Sequence, residues 1–293
     1  MTTVHHSNRR RWVRGLLAIV TVCGVALAGW ALVVEPSRLV VRRHRLALPG
    51  WPPAVAPLSV ALVSDLHVGA PFVDAQAIAH LRATVDALRP DVVLLAGDVV
   101  VGHEPFATEL SPAEAAATLA GWTAPLGVYA VLGNHDWWTD GEATTRALAD
   151  AGVRVLENEA VRLERASGAV YVVGLADAWT RTPDAARALA GVPDGAPVIA
   201  FTQNPDVFPE LPARFSVVLA GHTHGGQVAL PLVGRPVVPS KYRQRYAAGH
   251  VVEDDRHLFV TTGVGTSVLP VRLGVPPEVV LLTLTSQADT TPP

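Results

Sequence analysis

Residues 58–98 read LSVALVSDLHVGAPFVDAQAIAHLRATVDALRPDVVLLAGD. Ser59–Val63 and Val92–Ala96 are short apolar runs rich in β-branched residues, the composition of buried strands. Between them, Ala75–Leu88 sets Ile78, Leu81, Val85 and Leu88 at helical spacing. Strand, helix and strand in that order make an α/β unit, and each strand runs straight into an acid, as Ser64-Asp65 and Gly97-Asp98.

The pattern continues outward. Ser111-Pro112 opens a second helix, with Ser as N-cap, Pro at the first helical position and Glu114 completing the box. Val128–Leu132 predicts the next strand and Gly141–Ala151 a helix. Later strands are expected at Val170–Val173, Val198–Phe201, Val217–Ala220, Leu258–Thr261 and Val279–Leu284. The first half alternates β and α and the second is richer in strands, which implies two packed mixed sheets flanked by helices in one domain. Polar residues stand just after strands, at Asp65, Asp98, Asn134, Gln203 and His222, where open α/β sheets gather ligands.

The chain of 293 residues is 49% hydrophobic, enough for a full core. A single cysteine, Cys23, excludes a disulfide scaffold and a cysteine-ligated zinc or iron–sulfur site. The formal charge is −3, yet Arg9, Arg10, Arg11 and Arg14 precede the first acid, Glu35, so the body is more acidic than the sum. An acidic body gives no footprint for nucleic acid. Lys241 is the only lysine, so a preference for arginine carries no message here.

Gly15–Val34 is an uncharged run long enough, at about 1.5 Å per residue, to cross a hydrocarbon core of about 30 Å. It reads either as an export signal cut at Ala26-Leu27-Ala28 or as a retained anchor. The preceding Asn8-Arg9-Arg10-Arg11-Trp12-Val13-Arg14 resembles a twin-arginine signal, and reads equally as an ordinary basic flank. Arg38, Arg42, Arg43 and Arg45 follow the run, so flanking charge determines orientation poorly. The expected layout is a basic tip with a signal or transmembrane segment (1–34), a linker (35–57), a catalytic domain (58–285) and a polar tail (286–293). Membrane association is expected, with the catalytic domain exported or anchored outside the cytoplasm.

Four motifs carry the chemistry: Asp65-Leu66-His67, Gly97-Asp98, Gly133-Asn134-His135-Asp136 and Gly221-His222-Thr223-His224. Carboxylates, imidazoles and an amide carbonyl are the donors suited to two borderline or hard divalent ions. No phosphate-cradling P-loop is present, so nucleotide hydrolysis by that route is excluded.

With these motifs in this order, the stretch from Leu58 to Leu284 resembles the calcineurin-like metallophosphoesterase superfamily, and within it the exported or membrane-associated bacterial phosphodiesterases. Gly225-Gly226-Gln227 and Thr262-Gly263-Val264-Gly265-Thr266 share that likeness. The resemblance implies a four-layer αββα sandwich, here preceded by one apolar helix, and a centre of two divalent ions (Mn, Mg, Fe or Zn). It implies that Asp65, His67 and His224 hold one ion, that Asp98 bridges both, and that Asn134 and His222 hold the second. A hydroxide shared by the ions would attack the phosphoester, with His135 protonating the leaving oxygen and Asp136 orienting His135. The logic fits: a bridging ligand needs two anionic oxygens, and an imidazole beside the ions can carry a proton near neutral pH.

One position departs from the family. Where a histidine ligand is usual, the chain has Gln203, in Thr202-Gln203-Asn204-Pro205-Asp206. An amide oxygen suits Mg²⁺ or Mn²⁺ better than Zn²⁺, which points to a weaker second site, a shifted metal preference or a single ion. The alternatives to a phosphodiesterase are a phosphomonoesterase or protein phosphatase on the same centre, and a non-catalytic metal-binding envelope protein. For substrate, Trp137 with Trp138, and Trp179 with Arg181, are candidates for an apolar rim, or else pack loops or face the membrane surface. Lys241 and Arg243, in a basic stretch with Tyr242 and Tyr246, are candidates for a phosphorylated headgroup, or a solvated loop.

Overall fold

A computed structural model describes residues 3–102 and 104–287. A long helix, α1 (Thr3–Gly29), runs through a π-helical turn (Trp30–Val34) into strand β1 (Val40–Leu48). There follow β2 (Leu58–Val63), α2 (Ala75–Leu88), β3 (Val92–Ala96), α3 (Pro112–Ala117), β4 (Val128–Val131) and α4 (Asn134–Asp150). The second half is β5 (Arg154–Val155), β6 (Glu159–Arg165), β7 (Gly168–Gly174), α5 (Ala185–Leu189), β8 (Val198–Thr202), β9 (Val217–Ala220), β10 (Gly249–Glu253), β11 (Arg256–Val260) and β12 (Glu278–Ser286).

Two mixed six-stranded sheets result, ordered β1-β12-β2-β3-β4-β5 and β10-β11-β9-β8-β7-β6. The period-2 alternation of side chains sorts each apolar run between two buried faces. Val60, Leu62, Leu94 and Val131 meet Val172, Ile199, Phe201, Leu219 and Phe259 in the core between the sheets. Ala61, Val63, Val93 and Leu95 turn the other way, under Ile78, Leu81 and Val85 of α2. Val198, Ala200, Val218 and Ala220 face the outer layer of the second sheet, formed by α5, Phe208 and Tyr246. The expected four layers are present, the last supplied by one short helix and 3₁₀ turns. Ser111 and Glu114 form the expected capping box.

Residues 35–57, expected as a linker, are instead built into the fold. Val40–Leu48 pairs in parallel with β12, Leu46 opposite Leu284, and Leu46, Leu48, Trp51 and Val55 are buried. The strand was hidden because its exposed centre is Arg42, Arg43, His44 and Arg45, the charge that keeps an edge strand from pairing further. The expected helix 141–151 is the second limb of α4, which starts earlier, at Asn134, and kinks at Asp140.

The segment Arg11–Val34 is long and apolar enough to cross a membrane, and almost none of it is buried against the rest of the chain. The side chains of residues 3–10, with part of the twin-arginine stretch, lie outside the described residues, as do residues 288–293 of the expected tail; Ser286 closes β12.

Candidate metal centre

β2, β3 and β4 run parallel in one sheet, and β8 and β9 in the other. The loops leaving their C-terminal ends therefore meet at one edge of the sandwich. Asp65, His67, Asp98, His222 and His224 all have positive φ, between 45° and 69°. Non-glycine residues rarely adopt this conformation, and it is held here by bonds between loops. Asp65 N–H donates to the Gly97 carbonyl (3.0 Å), His67 N–H to that of Asp98 (2.9 Å), and Gly265 N–H to that of Asp65 (2.6 Å). Gly133 is required by close approach: a Cβ there would overlap the Asp98 carboxylate. That contact lets His135 N–H donate to Asp98 Oδ1 at 2.9 Å.

The structure brings all seven motif residues expected around the ions together with Gln203. His67 Nε2 and His224 Nε2 face each other at 3.2 Å. Asp65 Oδ1 lies 3.7 Å from His224 Nε2, and Asp98 Oδ2 lies 3.9 Å from His67 Nε2. His224 Nδ1 sits 3.2 Å from the Gly265 carbonyl, which fixes the proton there and leaves Nε2 as a lone pair. Asn134 Oδ1 and His222 Nε2 are buried with no hydrogen-bond partner. Burial holds His222 down at about 4 and His224 at about 3, and His67 well below its ordinary value, so all three imidazoles are neutral near pH 7. Burial also raises Asp65 and Asp98, the latter further through Asp136 and Asp65. Orphaned oxygen and nitrogen lone pairs beside two buried carboxylates fit divalent cations bound through mixed N and O donors.

Gln203 departs from its expected part as a carbonyl donor. Its Nε2 donates to Asp65 Oδ1 (2.9 Å) and Asp98 Oδ2 (2.7 Å), and its Oε1 is the unpartnered atom. Two carboxylates attract N–H rather than oxygen, so the amide would have to turn over to ligate an ion.

Asp136 does not orient His135. Its Oδ1 accepts from Val99 and Val100 N–H and its Oδ2 from Gly133 N–H, an arrangement that locks the loop after β3 to the start of α4. Burial nevertheless lifts it to about 6. The partner of His135 is the Val101 carbonyl, 3.0 Å from Nδ1, which leaves Nε2 turned to the pocket and 3.5 Å from Glu104 Oε1. Ser267 Oγ donates to the same Glu104 oxygen at 2.6 Å. Nothing in the sequence flagged Glu104, because it sits in an irregular loop without a motif.

A cavity of about 580 Å³ opens above Asp98, Asn134, His135, His222 and His224. Trp138 and Trp179 wall one side; Trp179 stands edge-on to His222, and the loop carrying it is held by Asp177. Trp137, Arg181, Lys241 and Arg243, proposed for substrate, do not line this cavity. Trp137 packs on the core with Arg181 stacked over it, Arg181 pairs with Glu157, and Lys241 pairs with Glu210. The rim therefore uses the second tryptophan of the pair, since α4 turns the first inward.

Comparison with known proteins agrees with this geometry. The calcineurin-like phosphoesterase family profile matches residues 58–226. The chain is 32% identical to "Phosphodiesterase YaeI" of Escherichia coli over 94% of its own length and 99% of that protein's. It is 25% identical to the "Uncharacterized metallophosphoesterase YkuE" of Bacillus subtilis, covering 95% of this chain and 98% of the relative. A Danio rerio "Transmembrane protein with metallophosphoesterase domain" is 27% identical over 92% of this chain and 62% of its own. With its motif residues gathered at the edge of two packed sheets, the chain belongs to the calcineurin-like phosphoesterase family of metal-dependent phosphoric ester hydrolases.

Proposed function

We propose that this protein is a membrane-associated phosphodiesterase whose site faces the cell envelope. The observation that carries the reading is the set of lone pairs on Asn134, His222 and His224 converging with the Asp65 and Asp98 carboxylates at the floor of the cavity. Asp65, His67 and His224 would hold one divalent ion, Asn134 and His222 a second, with Asp98 shared. Bound cations supply charge neutralisation at the phosphoryl oxygens and an activated water.

The remaining work falls to the chain. The Val101 carbonyl keeps the His135 proton on Nδ1 and aims Nε2 at the cavity, so a protonated His135 can deliver Nε2–H to the leaving oxygen. Glu104, tethered by Ser267, offers that imidazolium a carboxylate and acts as a positioning residue. Gln203 steadies both acids through its amide N–H. Among the described residues no lysine or arginine lines the cavity, which favours a singly charged diester over a doubly charged monoester.

The test compares a chromogenic aryl phosphodiester with the matching monoester, using Mn²⁺-loaded full chain and its His135→Ala variant. Preferential turnover of the diester, lost in the variant, is expected. Faster monoester turnover would reassign the protein as a phosphomonoesterase. Metal binding with neither ester turned over would make it a binding protein.

A further inference from the structure

Besides Trp138 and Trp179, the apolar cavity lining is aliphatic, with Val237 from one loop and Val268, Leu269 and Val271 from another. The same loops carry Leu232 and Val233 outward; Leu232 is fully exposed, and Val233, Val237, Val268 and Leu269 are all more than half exposed. Five exposed aliphatic side chains on the loops at the mouth of a cavity are the kind of surface that marks a binding site. It is also built to hold its shape. Leu230 and Gly234 exchange backbone bonds at 2.8 and 2.9 Å, Ala229 N–H donates to Leu273, and Gln227 ties Ser267 and Leu269 through its side-chain amide.

The rim is joined to the foot of α1. Arg272 N–H donates to the Ala31 carbonyl (2.9 Å), and Val275 N–H to Glu35 Oε1 (2.7 Å), while Trp30 Nε1–H caps the other Glu35 oxygen (2.8 Å). Exposed basic residues flank both parts, Arg38, Arg43 and Arg45 after the helix and Arg243 after the Leu232 loop. Aliphatic tips beside cations, attached to a helix of membrane-crossing length, match the two layers of an anionic lipid surface.

We infer that the loops around Leu232 and Val268 form a lip that seats in the bilayer beside α1, and that the cavity takes the apolar part of a lipid phosphoester from that membrane. The substrate class rests on the phosphodiesterase reading; the lip does not.

The test uses full chain carrying Cys23→Ser, reconstituted in vesicles of mixed zwitterionic and anionic phospholipid. An environment-sensitive fluorophore is placed on Leu232→Cys, Val268→Cys or, at the opposite pole before β8, Asp194→Cys. Tips about 5–10 Å into the headgroup boundary give blue-shifted emission at 232 and 268, quenched severalfold more by shallow nitroxide lipids than at 194. Equal, water-like emission at all three positions overturns the lip. A blue shift that ignores the nitroxide lipid and grows with protein density assigns the surface to a second copy and overturns it too. In the same vesicles, a long-chain phosphodiester should be hydrolysed in preference to a soluble aryl diester. The reverse preference overturns the lipid substrate, and hydrolysis of neither overturns the phosphodiesterase reading without touching the probe result.

Discussion

Gln203 donates its amide N–H to Asp98 at 2.7 Å, so the residue that follows β8 where a metal ligand is expected presents a hydrogen instead of a lone pair. Replacing it by histidine should raise the affinity of the weaker ion by about tenfold or more and bring Mn²⁺ content toward two per chain. Equilibrium dialysis with metal analysis checks this. Unchanged content and affinity would show that Gln203 does not limit the second site.

His135 and Glu104 form a pair whose parts can be separated kinetically. His135→Ala should lower kcat by about 10²–10⁴ with metal content unchanged, and the loss should shrink as the leaving group becomes more acidic. Glu104→Gln should cost less, about tenfold in kcat with KM little changed, because His135 keeps its place beside the cavity but loses the carboxylate that positions it. A Glu104→Gln variant with the parent's kcat would remove Glu104 from the mechanism.

Buried charge predicts how the metal-free fold responds to pH. His222 and His224, held at about 4 and 3 against an ordinary 6.5, contribute stability that is full above the ordinary value and is lost as pH falls toward about 4. Asp136, raised from 3.8 to about 6, contributes stability that is full below 3.8 and is lost as pH rises through about 6; Asp65 and Asp98 act in the same direction. The trends offset one another between about 4 and 6, and above that the crowded carboxylates dominate. A divalent cation relieves that crowding, so the rise in Tm on adding Mn²⁺ should grow from about pH 5 to pH 8. Thermal melts at fixed Mn²⁺ excess report it, and a shift that shrinks over this range contradicts the assignment.

Arg272 is fully buried and donates to the carbonyls of Val275, Thr262, Gly263 and Gly265, the last also facing His224 Nδ1. Arg272→Met strips these oxygens of their donor and should destabilise the fold by about 3 kcal/mol or more, lowering Tm by about 6–12 °C. Metal affinity should fall as well, since the carbonyl that sets the His224 tautomer is released. Calorimetry together with dialysis distinguishes this from a purely structural defect, which would leave the affinity of the folded fraction unchanged.

What the sequence conveyed follows from how each element is buried. Central strands such as Val92–Ala96 and Val217–Ala220 are apolar on both faces and stand out as continuous runs. The edge strands β1 and β6 carry clustered or alternating charge, and β10 has only Val251 and Val252 to mark it, so all three pass for linkers or loops. The metal motifs were legible because each is a compact strand-end cluster. Their outer partners were not: Val101, Gly265 and Glu104 act through backbone carbonyls or from a loop, neither of which leaves a residue-type signature. Asp136 misled because it lies next to His135 in sequence, whereas the helical turn directs its carboxylate back to Gly133, Val99 and Val100.

The clasp between Ala31, Glu35 and the 272–275 segment lies downstream of Ala28, the candidate cleavage point. A peptidase cutting there would remove most of α1 yet leave Ala31, Glu35 and the whole of β1 within the mature protein. The catalytic body would keep the closure of its first sheet and the bond that steadies the loop beneath His224. Such a cut would thus separate the apolar helix from the catalytic body and leave the fold of that body intact.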